Sequence, residues 1–218
     1  MKNKVVDNPL KNHDFNYLVI ITAIMVTCYL TSNVMAVKLV NIKGYSWFDA
    51  GTIIFPLAYM LGDVLTEIWG YKVAKKVIYL TFICNIIMTT FTYIGVFLPS
   101  PNNLGNAYNT IFTFTPRILI ASLVGFLVGE LSNAKTMEII KNITKSKYLF
   151  IRTILSSVVG YIFDTGLFVL IAFLGVIPIS EIIMMIIAQY FIKIIIESIF
   201  ATPLAYLVIN FLKGKIYG

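Results

Sequence analysis

Charged residues make up only 12% of this 218-residue chain, against a hydrophobic share of 59% and a mean hydropathy of +0.87. A water-soluble domain carries about twice that charge, so this composition excludes one. The two cysteines, Cys28 and Cys84, both fall inside apolar runs, where cysteine acts as a small buried hydrophobe. Their number and spacing exclude a disulfide framework and a cysteine metal site. The single histidine, His13, stands in the polar N-terminal segment and is assigned no chemistry. No Walker loop, zinc motif or nucleophile elbow is present, so the chain hydrolyses no ATP by itself and no cofactor is expected.

What is there is apolar length. A spanning helix needs about 20 predominantly apolar residues, and six such stretches occur, at residues 17–38, 51–69, 76–98, 116–134, 151–175 and 182–211. The expected fold class is an all-α membrane protein with six transmembrane helices, and residues 1–218 form a single integral membrane domain with no room for a soluble one. The basic start, the apolar run and "VMA" at Val34–Ala36 resemble a signal peptide, but the run is too long for one. The net charge of +7 would suit nucleic acid if it were clustered on one surface; its distribution argues otherwise. Lys2, Lys4, Lys11, Lys72, Lys75, Lys76, Lys135, Lys141, Lys145, Lys147, Arg152, Lys213 and Lys215 all fall on one side of a six-helix zigzag. By the positive-inside rule both termini are expected in the cytoplasm, and a nucleic-acid partner is not expected. Three helices before and three after a central connection give halves of opposite direction, compatible with a 3+3 inverted-topology repeat. The connection Leu98–Pro116, rich in Pro, Asn and Gly, excludes one continuous helix and reads as a lid or a short re-entrant segment.

Within the apolar runs stand Asp63, Glu67, Asp164, Lys193 and Glu197, with Lys38, Arg117 and Glu130 nearer the ends. A central Asp, Lys or Arg costs roughly 2.5–3.5 kcal/mol on insertion scales, a cost seldom carried without a use. Asp63 with Glu67, and Lys193 with Glu197, are i, i+4 pairs that share a helix face. Lys193 and Glu197 are open to a purely structural reading as an ion pair. Glu67 and Glu130 lie near the cytoplasmic border and are open to a solvated reading, and Lys38 can snorkel outward. Asp63 and Asp164 have no basic residue one turn away, so their partners lie on other helices, in water or in a ligand. At 1.5 Å per residue each sits roughly 18–20 Å from its entry face. Around them stand Phe55, Tyr59, Trp69, Tyr161 and Phe168, and Pro56, Pro203, Gly62 and Gly166 loosen helices at similar depth, as in interrupted transporter helices.

An enzyme reading is weaker. "FDTG" at Phe163–Gly166 matches the Asp-Thr-Gly of aspartic proteases, and "LGD" at Leu61–Asp63 faintly resembles intramembrane aspartyl proteases, which need two carboxylates sharing a proton. The required glycine is missing at Leu61, and the two acids are not on successive helices.

The runs "TSNVMAVKL" (Thr31–Leu39), "FPLAYMLGDVLTEIWGYKVAKK" (Phe55–Lys76), "PRILIAS" (Pro116–Ser122), "SSVVGYIFDTGLFVLIAFLG" (Ser156–Gly175) and "YFIKIIIESIFATPLAY" (Tyr190–Tyr206) resemble, in order and across nearly the whole chain, the queuosine precursor transporter family, formerly grouped as vitamin uptake transporters. The resemblance implies a bacterial inner-membrane importer of queuine or related 7-deazaguanine bases for tRNA modification, and no enzyme. It implies a shared polar set at Asn33, Asp63, Arg117, Asp164 and Lys193, with Glu67 and Glu197 tuning the site. Tyr161 departs from the family, where Asn or Gln stands in other members. A deazaguanine offers adjacent N–H donors to a carboxylate, a carbonyl to a Lys, Arg or Asn donor, and a flat ring to an aromatic slot. Asp63 or Asp164 is expected on the donors, Lys193, Asn33 or Arg117 on the carbonyl, and Tyr59 or Phe168 on the ring. Expected partners are the nucleobase substrate, membrane lipid, a coupling proton and a second copy of the chain. The competing transport reading is the substrate-binding component of a multi-subunit ATP-driven vitamin importer.

Overall fold

The structure is a computed structural model that describes residues 12–43, 45–101, 103–113 and 116–216; Lys2, Lys4 and Lys11 of the topology signal lie outside the described residues. Its helices are α1 (Asn12–Ala36), α2 (Phe55–Trp69), α3 (Tyr71–Val96), α4 (Asn103–Thr113), α5 (Pro116–Ile143), α6 (Leu149–Phe173), α7 (Ile179–Ile196) and α8 (Thr202–Ile216). Among the described residues four helices are long and apolar enough to cross a membrane: Phe15–Ala36, Tyr71–Val96, Leu149–Phe173 and the 38-residue run Ile179–Ile216. The chain is a multi-pass, all-α membrane protein.

α2 is the centre of the bundle. Of its fifteen residues only Leu57 and Trp69 escape burial, because α1, α3, α5, α7 and α8 all pack on it. A helix enclosed by protein on every side needs neither the length nor the apolar girth that lipid demands. Pro56 sits in its first turn, where the missing N–H costs nothing. Gly70 alone separates α2 from α3, with φ +81 and ψ 163, a region essentially reserved for glycine.

The remaining helices pack through small residues, as expected where lipid removes most of the hydrophobic drive between helices. α5 and α6 come together at Gly125, Gly129 and Gly160: a Cβ on Gly125 would stand 2.8 Å from the Asp164 carbonyl, and one on Gly160 3.1 Å from the Gly129 carbonyl. Tyr29 of α1 stacks on Phe126 of α5 at 3.7 Å and donates to the Ser122 carbonyl at 2.8 Å.

Two features depart from the sequence reading. Between α1 and α2 lies an antiparallel hairpin, β1 (Leu39–Ile42) and β2 (Tyr45–Asp49), followed by a 3₁₀ turn at Ala50–Ile53. Lys43 in the connection takes φ +54, which two-residue hairpin turns require. β2 packs on α7 and closes one end of the bundle. The connection after α3 contains the 11-residue helix α4, tied to α3 by Tyr108 donating to the Thr92 carbonyl at 2.8 Å. Its prolines do break a continuous helix, but they leave room for a short one between them.

The α7–α8 helix widens into a π-turn at Glu197–Ala201, just ahead of Pro203. Proline has no N–H for the carbonyl four residues back and its ring clashes there; adding a residue to the turn relieves both, and such bulges are frequent at functional sites.

Candidate functional site

A small cavity lies at the hairpin end of the bundle, lined by Ser32, Asn33 and Ala36 of α1, Asp49, Gly51 and Thr52 of the hairpin exit, Phe55, Ser122, Asp164, Phe168, and Gln189 and Lys193 of α7. Its free interior of about 30 Å³ holds a water or two. A bicyclic base needs the surrounding helices to part.

The cavity holds one base, Lys193, and two acids, Asp49 and Asp164, and the base is paired with Asp164. Lys193 donates to Asp164 Oδ2 at 2.6 Å and to Thr165 Oγ1 at 3.0 Å, and its ammonium sits 4.4 Å from the centre of the Phe55 ring. Both charged side chains are about 95% buried, so the attraction acts in a weakly screening medium. The partner of Asp164 is thus on another helix, and Lys193 bonds across to it rather than to Glu197 on its own helix. Asn33 completes the wall: its amide donates to Asn85 Oδ1 at 2.7 Å, and its oxygen accepts a short bond from Ser122.

Asp63 lies in a second polar cluster deeper along α2. Its Oδ1 accepts from Asn133 Nδ2 at 3.1 Å and from Ser156 Oγ at 3.5 Å, and the same Asn133 amide reaches Glu130 Oε2 at 3.5 Å. Asp63 Oδ2, Glu130 Oε1 and the Tyr59 hydroxyl are buried without a hydrogen-bond partner. Tyr59 stacks on Tyr161 at 4.5 Å, and Tyr161 donates to Glu197 at 2.9 Å. None of Asp63, Glu130 and Glu197 has an ion-pair partner among the described residues.

A third group closes the far end of α2. Glu67 is clasped by Arg152 at 2.7 Å, Lys213 at 2.8 Å and Lys141 at 3.2 Å, drawn from α6, α8 and α5. Lys141 also donates to the Glu67 carbonyl at 2.7 Å, a cation on an orphan carbonyl of the helix C-terminus.

Of the residues singled out from sequence, Asn33, Asp164, Phe168 and Lys193 line the cavity. Asp63, Tyr59, Tyr161 and Glu197 belong to the deeper cluster. Glu67 is in the clasp. Arg117 stands apart and caps α6, donating to the carbonyls of Ile171 at 2.6 Å and Leu174 at 2.5 Å. Among the residues open to an interfacial reading, Lys38 is exposed, whereas Glu130 is fully buried beside Asp63. The sequence reading passes over Ser32, Asp49, Thr52, Ser122 and Gln189. Gln189 carried a signal, as the polar residue one turn before Lys193 on the same face of an apolar helix; Asp49 sat at a helix border, where an acid attracts no notice.

A family model described as "Putative vitamin uptake transporter" matches residues 49–208. The chain belongs to that family. The match takes in every cavity residue except Ser32, Asn33 and Ala36 of α1. The chain is also 31% identical over 179 residues to the "Probable queuosine precursor transporter" of Bacillus subtilis (strain 168), an alignment covering 80% of this chain and 77% of that one. No solved structure matches. Membership of a vitamin uptake transporter family makes this chain a transport protein and not an enzyme.

Proposed function

We propose that the chain imports queuosine precursors, queuine or related 7-deazaguanine bases, across the bacterial inner membrane for salvage into modified tRNA. The observation that carries this reading is the cavity itself: a buried Asp164–Lys193 pair flanked by amide groups and the faces of Phe55 and Phe168, in a chain similar to a protein named for that transport. A carboxylate, an ammonium and aromatic faces are the groups that a flat base with N–H donors and a ring carbonyl calls for.

In this reading the membrane is crossed six times, by α1, α2 with its 3₁₀ lead-in, α3, α5, α6 and the α7–α8 run, with both termini in the cytoplasm. Convergence of Lys141, Arg152 and Lys213 on one end of α2 supports placing that end inside, since a basic rim favours the cytoplasmic face. The cavity then faces outward, and the 3+3 arrangement with interrupted α7–α8 supports alternating access. Import is secondary or facilitative. A carboxylate buried at this depth without a cation is costly, and Asp63, Glu130 and Glu197 form a cluster of three; a proton neutralises such a group, which supports a proton-linked carrier.

The test is the queuosine content of tRNA in a bacterial host lacking its own synthesis and uptake, fed each precursor with and without this chain. The expected result is queuosine restored at low precursor concentration only when the chain is present. Absence of restoration with every precursor, from a protein shown to reach the membrane, would sink the reading. Restoration that depends on co-purifying ATPase subunits would favour the multi-subunit importer instead.

A further inference from the structure

Gln189 is completely buried, and neither the oxygen nor the nitrogen of its side-chain amide has a hydrogen-bond partner. It stands one turn before Lys193 on the same face of α7 and lines the cavity. Its neighbours there are already engaged. The Asn33 amide is used at both ends, by Asn85 and Ser122. Asp164 holds Lys193, and the Asp49 carboxylate accepts from the Thr52 N–H and hydroxyl at 3.2 and 3.4 Å. Gln189 is therefore the polar side chain of this wall, among the described residues, whose donor and acceptor are both free. Buried amides are almost always paired, and one that is not calls for an explanation.

We propose that Gln189 is a specificity-determining residue that grips the lactam edge of the substrate, its amide nitrogen donating to the ring carbonyl and its amide oxygen accepting from the adjacent ring N–H. The inference rests on the import reading for the identity of the ring, and it adds the group that reads it. A primary amide sets a donor and an acceptor side by side, which matches a lactam with two parallel bonds; a carboxylate has only acceptors and an ammonium only donors. By itself such an amide pairs equally well with the amidine edge of an amino-substituted ring, after turning over. Lys193 breaks the tie. Its ammonium has three donors, two of which serve Asp164 and Thr165, and the third strengthens a carbonyl in the cavity but faces an amino group donor to donor. Lactams are thereby accepted and amidines rejected.

The experiment measures equilibrium binding and thermal melting of the purified full chain, wild type and Gln189→Met. Probes are queuine, 7-cyano-7-deazaguanine, guanine and hypoxanthine, against 2,6-diaminopurine and its 7-deaza counterpart, which replace the lactam with an amidine. Wild type is expected to prefer lactam probes, and Gln189→Met to lose about 10- to 100-fold in lactam affinity, the worth of two ordinary hydrogen bonds, with little change for the diamino probes. Methionine matches the volume of glutamine and leaves no unpaired amide, so the ligand-free melting temperature is expected to hold or rise. A purely structural glutamine would make it fall. Unchanged selectivity in Gln189→Met overturns the assignment, whatever the melting temperature. Binding of guanine or hypoxanthine but of neither 7-deazaguanine, with selectivity lost in the variant, keeps the assignment and overturns the queuosine-precursor reading alone. A wild-type protein that binds only diamino probes, or no probe, overturns the assignment.

Discussion

Asp164 and Lys193 are each tolerable at this depth only because the other is there. Replacing one leaves the other's charge buried beside apolar surface, a loss of about 3–5 kcal/mol in stability. Asp164→Asn and Lys193→Met are each expected to lower the melting temperature and to abolish uptake. The double variant Asp164→Asn/Lys193→Met is expected to recover much of the stability, because neither member of the pair is left without the other, without recovering uptake, because the groups proposed to hold the substrate are gone. Thermal melting and uptake measured on the three proteins check this; transport by the double variant would mean that the pair is structural. These two residues were legible in the sequence because an isolated charge in an apolar run is costly and conspicuous. Which partner each would choose was not. Lys193 passes over Glu197 one turn away for Asp164 on another helix, and Glu67 is occupied by three cations, because helix rotation decides which face meets which and spacing along a single helix carries no record of that. Gln189, uncharged, left only the weak signal of its place one turn before Lys193, since its cost appears only once it is seen buried and unpaired.

Among the elements, the joints are more informative than the helices. The bond between α2 and α3 turns on Gly70, whose φ of +81 no residue with a Cβ adopts cheaply, although there is open space around it. Gly70→Ala is therefore expected to cost about 1–3 kcal/mol through backbone strain alone, read as a lower melting temperature in detergent. Pro203 makes the opposite case. With an N–H restored there, the π-turn at Glu197–Ala201 can relax to ordinary helix, so Pro203→Ala is expected to raise the melting temperature. It would also rotate Glu197 away from Tyr161 and slow uptake; the two readouts moving in opposite directions is the signature of a bulge kept for function. Apolar runs pointed to the four helices long and apolar enough to cross a membrane, since about 20 such residues in succession admit little else. They located the ends less well, and they missed the hairpin β1–β2 and helix α4. Short elements whose residues serve both a membrane border and a turn leave no periodicity to detect.

At the scale of the whole molecule, α2 carries three layers. The cavity lies at Phe55, the uncompensated acids at Asp63, and the basic clasp at Glu67, twelve residues beyond Phe55 and so about 18 Å along the axis. One end is closed by a hairpin over a space that admits only water, and the other is locked by ion pairs. In the proposed import reading, such a carrier would open by parting the hairpin and α7 from α1 and α5, and would release inward by loosening the clasp. Orientation is tested with a single cysteine in place of the exposed Lys145: an impermeant thiol reagent is expected to leave it unlabelled on intact cells and to label it once the membrane is permeabilised. The central claim, that this chain alone carries a queuosine precursor through the cavity at Asp164 and Lys193, meets its most direct test in proteoliposomes. Uptake of radiolabelled queuine by the purified chain, measured with an imposed pH gradient, a sodium gradient or neither, is predicted to be saturable without ATP, accelerated by an inward proton gradient and absent in Asp164→Asn. No uptake above protein-free vesicles under any gradient, from protein that is folded and correctly inserted, would contradict the account.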